Sequence, residues 1–165
     1  MDVTLSDLAN VTNLIGDSDG NGASDASEVI NDPNDPKKGW YITFANVGEK
    51  VITSSITFNN VILFTSYTPP SATGSSCDAV AGTSKIYGMR VTDGNPYIDT
   101  NYDGQLTEVD RYAELSTSGI APEPQIVLTD NGPVVCVGGL CGDAQVPIYP
   151  PPPPEGVMGV RWRRN

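Results

Sequence analysis

Residues 50–67 read KVITSSITFNNVILFTSY, and this stretch decides the fold. It contains two runs, residues 50–58 and 61–67, that are rich in the β-branched and aromatic residues enriched in strands. Asn59 and Asn60 separate the runs, and asparagine tolerates the left-handed backbone that a two-residue hairpin turn requires. The stretch therefore predicts an antiparallel hairpin.

Similar short apolar runs lie on both sides of this hairpin. They are residues 39–44, 85–91, 125–128, 134–137, 145–149 and 157–162. With 17 Gly, 14 Pro and only 18% charged residues, the composition favours strands joined by turns over helices. The sequence predicts an all-β fold of antiparallel sheets, either a partial β-propeller of about two blades or a small sandwich.

Three segments differ in composition. Residues 1–38 form a polar, turn-rich segment that contains a first acidic loop, and residues 39–149 form the predicted β domain with a second acidic loop. Residues 150–165 begin with five prolines, which adopt an extended polyproline II conformation, and continue as a C-terminal strand or tail.

The first acidic loop spans residues 17–28 and reads DSDGNGASDASE. Its oxygen-bearing residues and its central glycine have the spacing of an EF-hand calcium loop. Calcium takes six to eight oxygen ligands at about 2.3–2.6 Å, and alternate residues of a tight loop direct their oxygens to one centre. The predicted ligands are Asp17, Asp19, Asn21, the Ala23 carbonyl, Asp25 and Glu28.

The second acidic loop spans residues 99–110 and reads DTNYDGQLTEVD. The same positions are filled, so the predicted ligands are Asp99, Asn101, Asp103, the Gln105 carbonyl, Thr107 and Asp110. Neither loop has convincing amphipathic helices beside it, and only short helical turns are predicted, at residues 25–30 and 106–115. The sequence thus predicts two EF-hand-like loops, with Ca²⁺ as the cofactor, on a β scaffold.

The net charge of −11 is concentrated in these loops. Eight of the 20 acidic residues lie there, and the remaining 12 nearly balance the 9 basic residues. A bound cation would neutralise this local charge. Nucleic acid is not an expected partner, because no basic stripe exists outside residues 161–164.

The three cysteines predict one disulfide. Cys136 and Cys141 flank Gly138-Gly139, which favours a two-residue turn that places the cysteines opposite each other at disulfide distance. Two reduced, buried thiols are the alternative. Cys77 is left over, either free or paired outside this chain.

An enzymatic role is not expected. The chain contains no histidine, so His-dependent triads, His general bases and His-dependent metal sites are excluded, and because it also has no CxxC pair a zinc site is not expected. No glycine-rich phosphate loop follows a strand, and the clustered carboxylates fit a cation site better than paired catalytic acids.

Calcium loops and a disulfide indicate a location outside the cytoplasm. No apolar run approaches the roughly 18 residues of a membrane span, and residues 1–4 have no signal-peptide features. We therefore expect a cell-surface or extracellular protein, exported through a signal not present in this chain, with the chain a fragment or truncated form.

Several short motifs follow one another between residues 39 and 120. They are Gly39-Trp40-Tyr41-Ile42, residues 48–55 (GEKVITSS), residues 61–65 (VILFT), Tyr67-Thr68-Pro69, Cys77, residues 82–89 (GTSKIYGM) and Ser118-Gly119-Ile120. As an ordered series they resemble the C-terminal domain of the PilY family, the tip-associated adhesins and assembly factors of type IV pili. No single motif would suffice.

The resemblance implies a β-propeller that carries a calcium loop, whose occupancy is linked to pilus extension, retraction and surface attachment. It implies a calcium-binding structural and adhesive component of a type IV pilus system, with pilin or minor pilin subunits as partners and a host or abiotic surface as target. Chains that complete the β fold are a further expected partner. The alternative is a generic calcium-stabilised secreted binding module, of carbohydrate-binding or surface-layer type.

Overall fold

The computed structural model describes residues 2–14, 25–71, 81–97, 100–101, 106–130 and 132–141. Short strands dominate this part of the chain, so the predicted all-β class is confirmed. The strands are β1 Leu8–Asn10, β2 Gly39–Tyr41, β3 Lys50–Val51, β4 Ile56–Phe58, β5 Val61–Thr68, β6 Thr83–Arg90, β7 Tyr112–Ser118, β8 Gln125–Thr129, β9 Gly132–Val137 and β10 Leu140–Cys141. Helix α1 spans Asp25–Ile30, and Leu5–Asp7 and Glu108–Arg111 form single 3₁₀ turns.

A five-stranded antiparallel sheet forms the centre of the fold. Its strands run in the order β3–β5–β6–β7, and β4 also pairs with β5. The predicted hairpin is confirmed: Phe58 pairs with Val61 across the turn, and Asn59 and Asn60 have positive φ angles of 46° and 63°. Asparagine suits these positions because its short polar side chain tolerates the left-handed region.

A second sheet covers one face of the central sheet. It contains β8, β9 and β10 in antiparallel order, β10–β9–β8. The two sheets share one apolar cluster, formed by Val61, Leu63, Ile86, Leu115, Ala121, Val135 and Val137. Apart from Ala121, which lies in the loop between β7 and β8, these residues alternate along their strands with residues of the opposite face, as period-two patterning requires. The described residues form no closed barrel or propeller.

An N-terminal layer, residues 8–14 and 39–44, covers the opposite face of the central sheet. β1 and β2 pair in parallel, unlike the antiparallel sheets expected, because the chain crosses over through α1 before returning. Trp40 and Ile42 pack against the buried side chains of the sheet, and the Trp40 indole donates a 2.7 Å hydrogen bond to the Val91 carbonyl. The central sheet is therefore buried between two layers.

Gly94 lies where this layer approaches the sheet most closely. It has a φ of +69°, and a Cβ at this position would lie 2.8 Å from the Trp40 ring and 3.0 Å from Val11. Only glycine combines this backbone conformation with the missing side chain. The docking of the N-terminal layer thus depends on this residue.

Some predicted elements differ from the structure. The run at residues 50–58 divides into β3 and β4, and the helical turns predicted at residues 106–115 reduce to one 3₁₀ turn followed by β7. β7 forms because Tyr112 and Ala113 pair with β6, a long-range contact that outweighs local helix preference. The strands predicted at residues 145–149 and 157–162, and the segment 150–165, lie outside the described residues.

Candidate functional site

The first acidic loop lies largely outside the described residues. This applies to the predicted ligands Asp17, Asp19, Asn21 and Ala23, and to the side chains of Asp25 and Glu28. The backbone from Asp25 onward is described, and it forms α1. Calcium binding by these six residues therefore stays a prediction.

The second acidic loop is described at its ends. Asp99, Asp103 and Gln105 lie outside the described residues, whereas Asn101, Thr107 and Asp110 lie within them. Asn101 is exposed, Thr107 is half-buried, and the Asp110 side chain is almost completely buried, with 1% of the residue surface exposed. The structure thus places the last predicted ligand inside the fold.

Asp110 connects the two ends of this loop through four hydrogen bonds. Its Oδ1 accepts bonds from the backbone N–H and the hydroxyl of Thr100, at 2.9 and 3.0 Å. Its Oδ2 accepts bonds from the corresponding groups of Thr107, at 2.8 and 3.0 Å. The Thr107 bonds close a capping box on the 3₁₀ turn Glu108–Arg111.

These bonds determine the ionisation of Asp110. Burial raises its pKa, but the backbone and hydroxyl donors of Thr107 and Thr100 stabilise the carboxylate, and together they lower the pKa below its usual value. Asp110 is therefore charged at neutral pH, and its charge is stabilised by donors at both ends of the loop.

The four bonds also bear on Asp110 as a calcium ligand. A carboxylate offers about four lone-pair positions, and the donors from Thr100 and Thr107 match that number. Binding of Ca²⁺ by Asp110 would replace some of these hydrogen bonds. Among the described residues, no group of three or more Asp, Glu, Cys or His side chains is placed to hold a metal ion.

The predicted disulfide is confirmed. Cys136 of β9 and Cys141 of β10 are bonded, with their Cα atoms 4.2 Å apart. The intervening turn is Gly138-Gly139, and both glycines have positive φ angles of 58° and 85°. Cys141 pairs with Cys136, as predicted, and Leu140 pairs with Val137 next to the turn.

A buried polar network lies on the face of the central sheet that the N-terminal layer covers. Glu49 precedes β3 and its side chain has 0% exposure. Its Oε1 accepts hydrogen bonds from Ser66 Oγ at 2.6 Å and Tyr87 Oη at 2.8 Å. Burial, followed by the hydrogen bond to Glu49, raises the pKa of the Tyr87 hydroxyl, so this tyrosine stays a neutral donor.

Lys85 completes the network without a hydrogen bond to Glu49. Its Nζ lies 3.8 Å from Glu49 Oε2, and that oxygen has no hydrogen-bond partner among the described residues. The ammonium also lies 3.9 Å from the centre of the Tyr112 ring, a cation–π distance. The Lys85 side chain is 7% exposed.

Arg111 joins the N-terminal layer to the sheet. Its guanidinium donates to the carbonyl oxygens of Thr12, Val11 and Gly94, the last at 2.9 Å. Burial lowers its pKa, while the nearby carboxylates Glu108 and Asp93 raise it. The bonds to three carbonyls fix this cation as part of the structure.

A cavity of about 250 Å³ opens between the N-terminal layer and the sheet. Its lining combines three aromatic rings with polar and charged groups, and comprises Thr12, Asn13, Ile42, Thr43, Phe44, Ala45, Lys85, Tyr87, Glu108, Val109, Arg111 and Tyr112. The cavity was not predicted from the sequence. The signal that could have indicated it is Lys85 itself, which shares one strand face with Tyr87 and Met89.

Comparison with protein-family models, with curated proteins and with solved structures gives no match for this chain. In the described part of the chain, no helix has the length and apolar character needed to cross a membrane.

Proposed function

We propose that this chain is a calcium-binding, non-enzymatic structural module of an exported protein. The observation that carries the proposal is the closure of the second acidic loop on Asp110. Thr100 and Thr107 bond the same buried carboxylate, so the two ends of the intervening segment lie next to each other. Loop ends that lie close together are what a single-cation loop of this kind requires, and this supports a calcium site in residues 99–110.

The disulfide supports a location outside the cytoplasm. Disulfides persist in oxidising compartments and are rare in the cytosol. The Cys136–Cys141 bond links adjacent strands through a six-residue loop. An extracellular or cell-surface location also supplies the millimolar calcium concentrations at which loops of this kind bind.

Within this class, we propose a structural and adhesive component of a type IV pilus system, active in pilus biogenesis and surface attachment. The assignment rests on the resemblance to the PilY family, and its partners would be pilin or minor pilin subunits. Within the described residues, β8 lies at the edge of its sheet, and this position supports a further partner chain that completes the β fold. Val127 and Leu128 on this strand are exposed, Leu128 by 77%, and unpaired strand edges are templates for strand addition.

Thermal unfolding with and without Ca²⁺ tests the calcium proposal. Calcium should raise the melting temperature of the native chain, and Mg²⁺ at the same concentration should raise it less. The paired substitution Asp99→Ala and Asp103→Ala should remove the part of this rise in melting temperature that is due to the second loop. Asp130→Ala, at an exposed position, serves as the matched control. Identical calcium responses of the native chain and the paired variant would contradict the assignment of the second loop.

Binding of purified pilin or minor pilin subunits tests the pilus proposal. The calcium-loaded chain should retain such a subunit on a surface, and the chelator-treated chain should release it. Absence of retention in the presence of calcium would contradict the pilus assignment and leave the calcium proposal standing.

The second candidate is a generic calcium-stabilised secreted binding module, of carbohydrate-binding or surface-layer type. The aromatic-lined cavity favours it, because ring faces next to polar groups suit the mixed apolar and hydroxyl surfaces of sugars. A ligand bound in the cavity would favour this candidate over the pilus component.

A further inference from the structure

We infer that the cavity between the N-terminal layer and the central sheet binds a small ring-shaped molecule with a carboxylate, of the size and chemistry of a sugar acid, and that Lys85 holds the carboxylate. This inference rests on the second candidate function and names its ligand class. It is independent of which residues bind calcium.

The size of the cavity restricts the ligand. Sites for drug-sized molecules occupy about 300–1,000 Å³, so a cavity of about 250 Å³ accepts one small ring. The aromatic residues Phe44, Tyr87 and Tyr112 offer apolar contact, and Asn13 and Thr43 add polar residues to the lining. This combination fits a molecule that has apolar faces and a polar rim.

The Lys85 ammonium supplies the specific contact. An ammonium has three donors, yet its 3.8 Å separation from Glu49 Oε2 is too long for a hydrogen bond. The Tyr112 ring stabilises the positive charge of the ammonium but offers it no oxygen acceptor. A ligand carboxylate in the cavity would accept the charge-assisted hydrogen bonds that Glu49 does not.

The surrounding groups fix Lys85 in place, and the buried Glu49 carboxylate offsets part of its positive charge. Glu49 is fixed through Oε1 by Ser66 and Tyr87, so it cannot move toward Lys85 without breaking those bonds. Arg111 adds a second positive charge to the lining, and its hydrogen bonds go to backbone carbonyls rather than to a carboxylate. The acidic residue of the lining, Glu108, is exposed, so solvent screens its repulsion of an anion.

Calorimetric titration of the folded chain with D-glucuronate and with D-glucose, in buffer containing calcium, tests the inference. Glucuronate should bind at least about tenfold more tightly than glucose, the equivalent of one charge-assisted hydrogen bond. Lys85→Met, which keeps the aliphatic stem, should abolish the difference. Lys50→Met, at an exposed lysine of β3, should preserve it.

A measurement on the native chain covers the case in which Lys85→Met fails to fold. Bound glucuronate, but not glucose, should slow the acetylation of Lys85 relative to Lys50, read by peptide mass spectrometry. Equal binding of both sugars would overturn the carboxylate inference and leave the binding-module candidate standing. If neither sugar binds and neither protects Lys85, the carboxylate inference and the binding-module candidate are both overturned. The calcium titration would remain a separate test of the calcium proposal.

Discussion

Replacement of Asp110 by Asn tests the closure of the second loop most sharply. The substitution keeps the shape of the side chain and one acceptor oxygen, so the two bonds from Thr100 can remain. The new amide group faces Thr107, whose backbone N–H then has no acceptor, although its hydroxyl can rotate to accept from the amide. The variant therefore isolates one half of the network.

The expected loss follows from the burial of the site. A hydrogen bond to a charged group contributes about 1.5–3 kcal/mol, and a buried donor without an acceptor costs about 1–3 kcal/mol. Asp110→Asn should lower the free energy of unfolding by about 2–4 kcal/mol, near the upper end of ordinary single substitutions. Asp130→Asn, the same change at an exposed position, should alter it by less than about 0.5 kcal/mol.

Urea unfolding in the presence of a calcium chelator is the appropriate assay, because it separates the hydrogen bonds from any role in metal binding. The effect should depend on pH. The pKa of Asp110 is lowered in the folded state, so its stabilisation is complete above the unfolded value of about 3.9 and is lost as the pH falls through the folded pKa. The free energies of unfolding of the native chain and of Asp110→Asn should therefore differ by the full amount at pH 6 to 7 and converge in acid. A loss below about 0.5 kcal/mol at neutral pH would refute the proposed closure.

Substitutions in three further parts of the fold test the scaffold. Replacing Cys136 and Cys141 together with Ala should lower the free energy of unfolding by about 2 kcal/mol, the entropy of so short a loop; an unchanged value would show that the bond adds nothing to global stability. Gly94→Ala should cost about 2–3 kcal/mol because its Cβ meets an indole ring, whereas Gly119→Ala, at φ +89° with open space around it, should cost only about 1 kcal/mol; equal costs would exclude the steric argument. Asn60→Gly should raise the stability by about 0.5 kcal/mol and Asn60→Ala should lower it by about 1 kcal/mol, measured by urea unfolding; the reverse order would contradict the left-handed turn.

Local chemistry made two elements predictable. The hairpin at Asn59-Asn60 and the disulfide hairpin at Gly138-Gly139 both depend on residues that tolerate positive φ, and the registers follow from turn length alone. In each case the decisive residues are adjacent in the chain. The local sequence is therefore sufficient to predict both hairpins.

Long-range contacts explain what was not predictable. The segment around Tyr112 carries no decisive periodicity, and pairing with β6 decides that it is a strand. The parallel pairing of β1 with β2 depends on a crossover whose geometry the polar N-terminal segment does not specify. Tertiary pairing outweighs local preference in both places.

In the candidate sites too, local features were predictable from the sequence and long-range contacts were not. Loop spacing identified Asp110 as a residue of interest, but its donor Thr100 occupies a position that the calcium pattern leaves undefined. Glu49, Ser66 and Lys85 come from different parts of the chain and meet on one sheet face. Such a network can be predicted only when the strand order is known, and sequence patterning alone does not supply that order.

The most direct test of the central claim is a crystal structure of this chain grown with calcium, with anomalous data collected to identify the ion. Two calcium peaks are expected, one within residues 17–28 and one within residues 99–110, each surrounded by six to eight oxygens. In solution, calcium at about 10 to 100 times its dissociation constant should add about 1.4–2.7 kcal/mol of stability per site. Loops without bound ions at saturating calcium, with their carboxylates turned to solvent, would contradict the proposal.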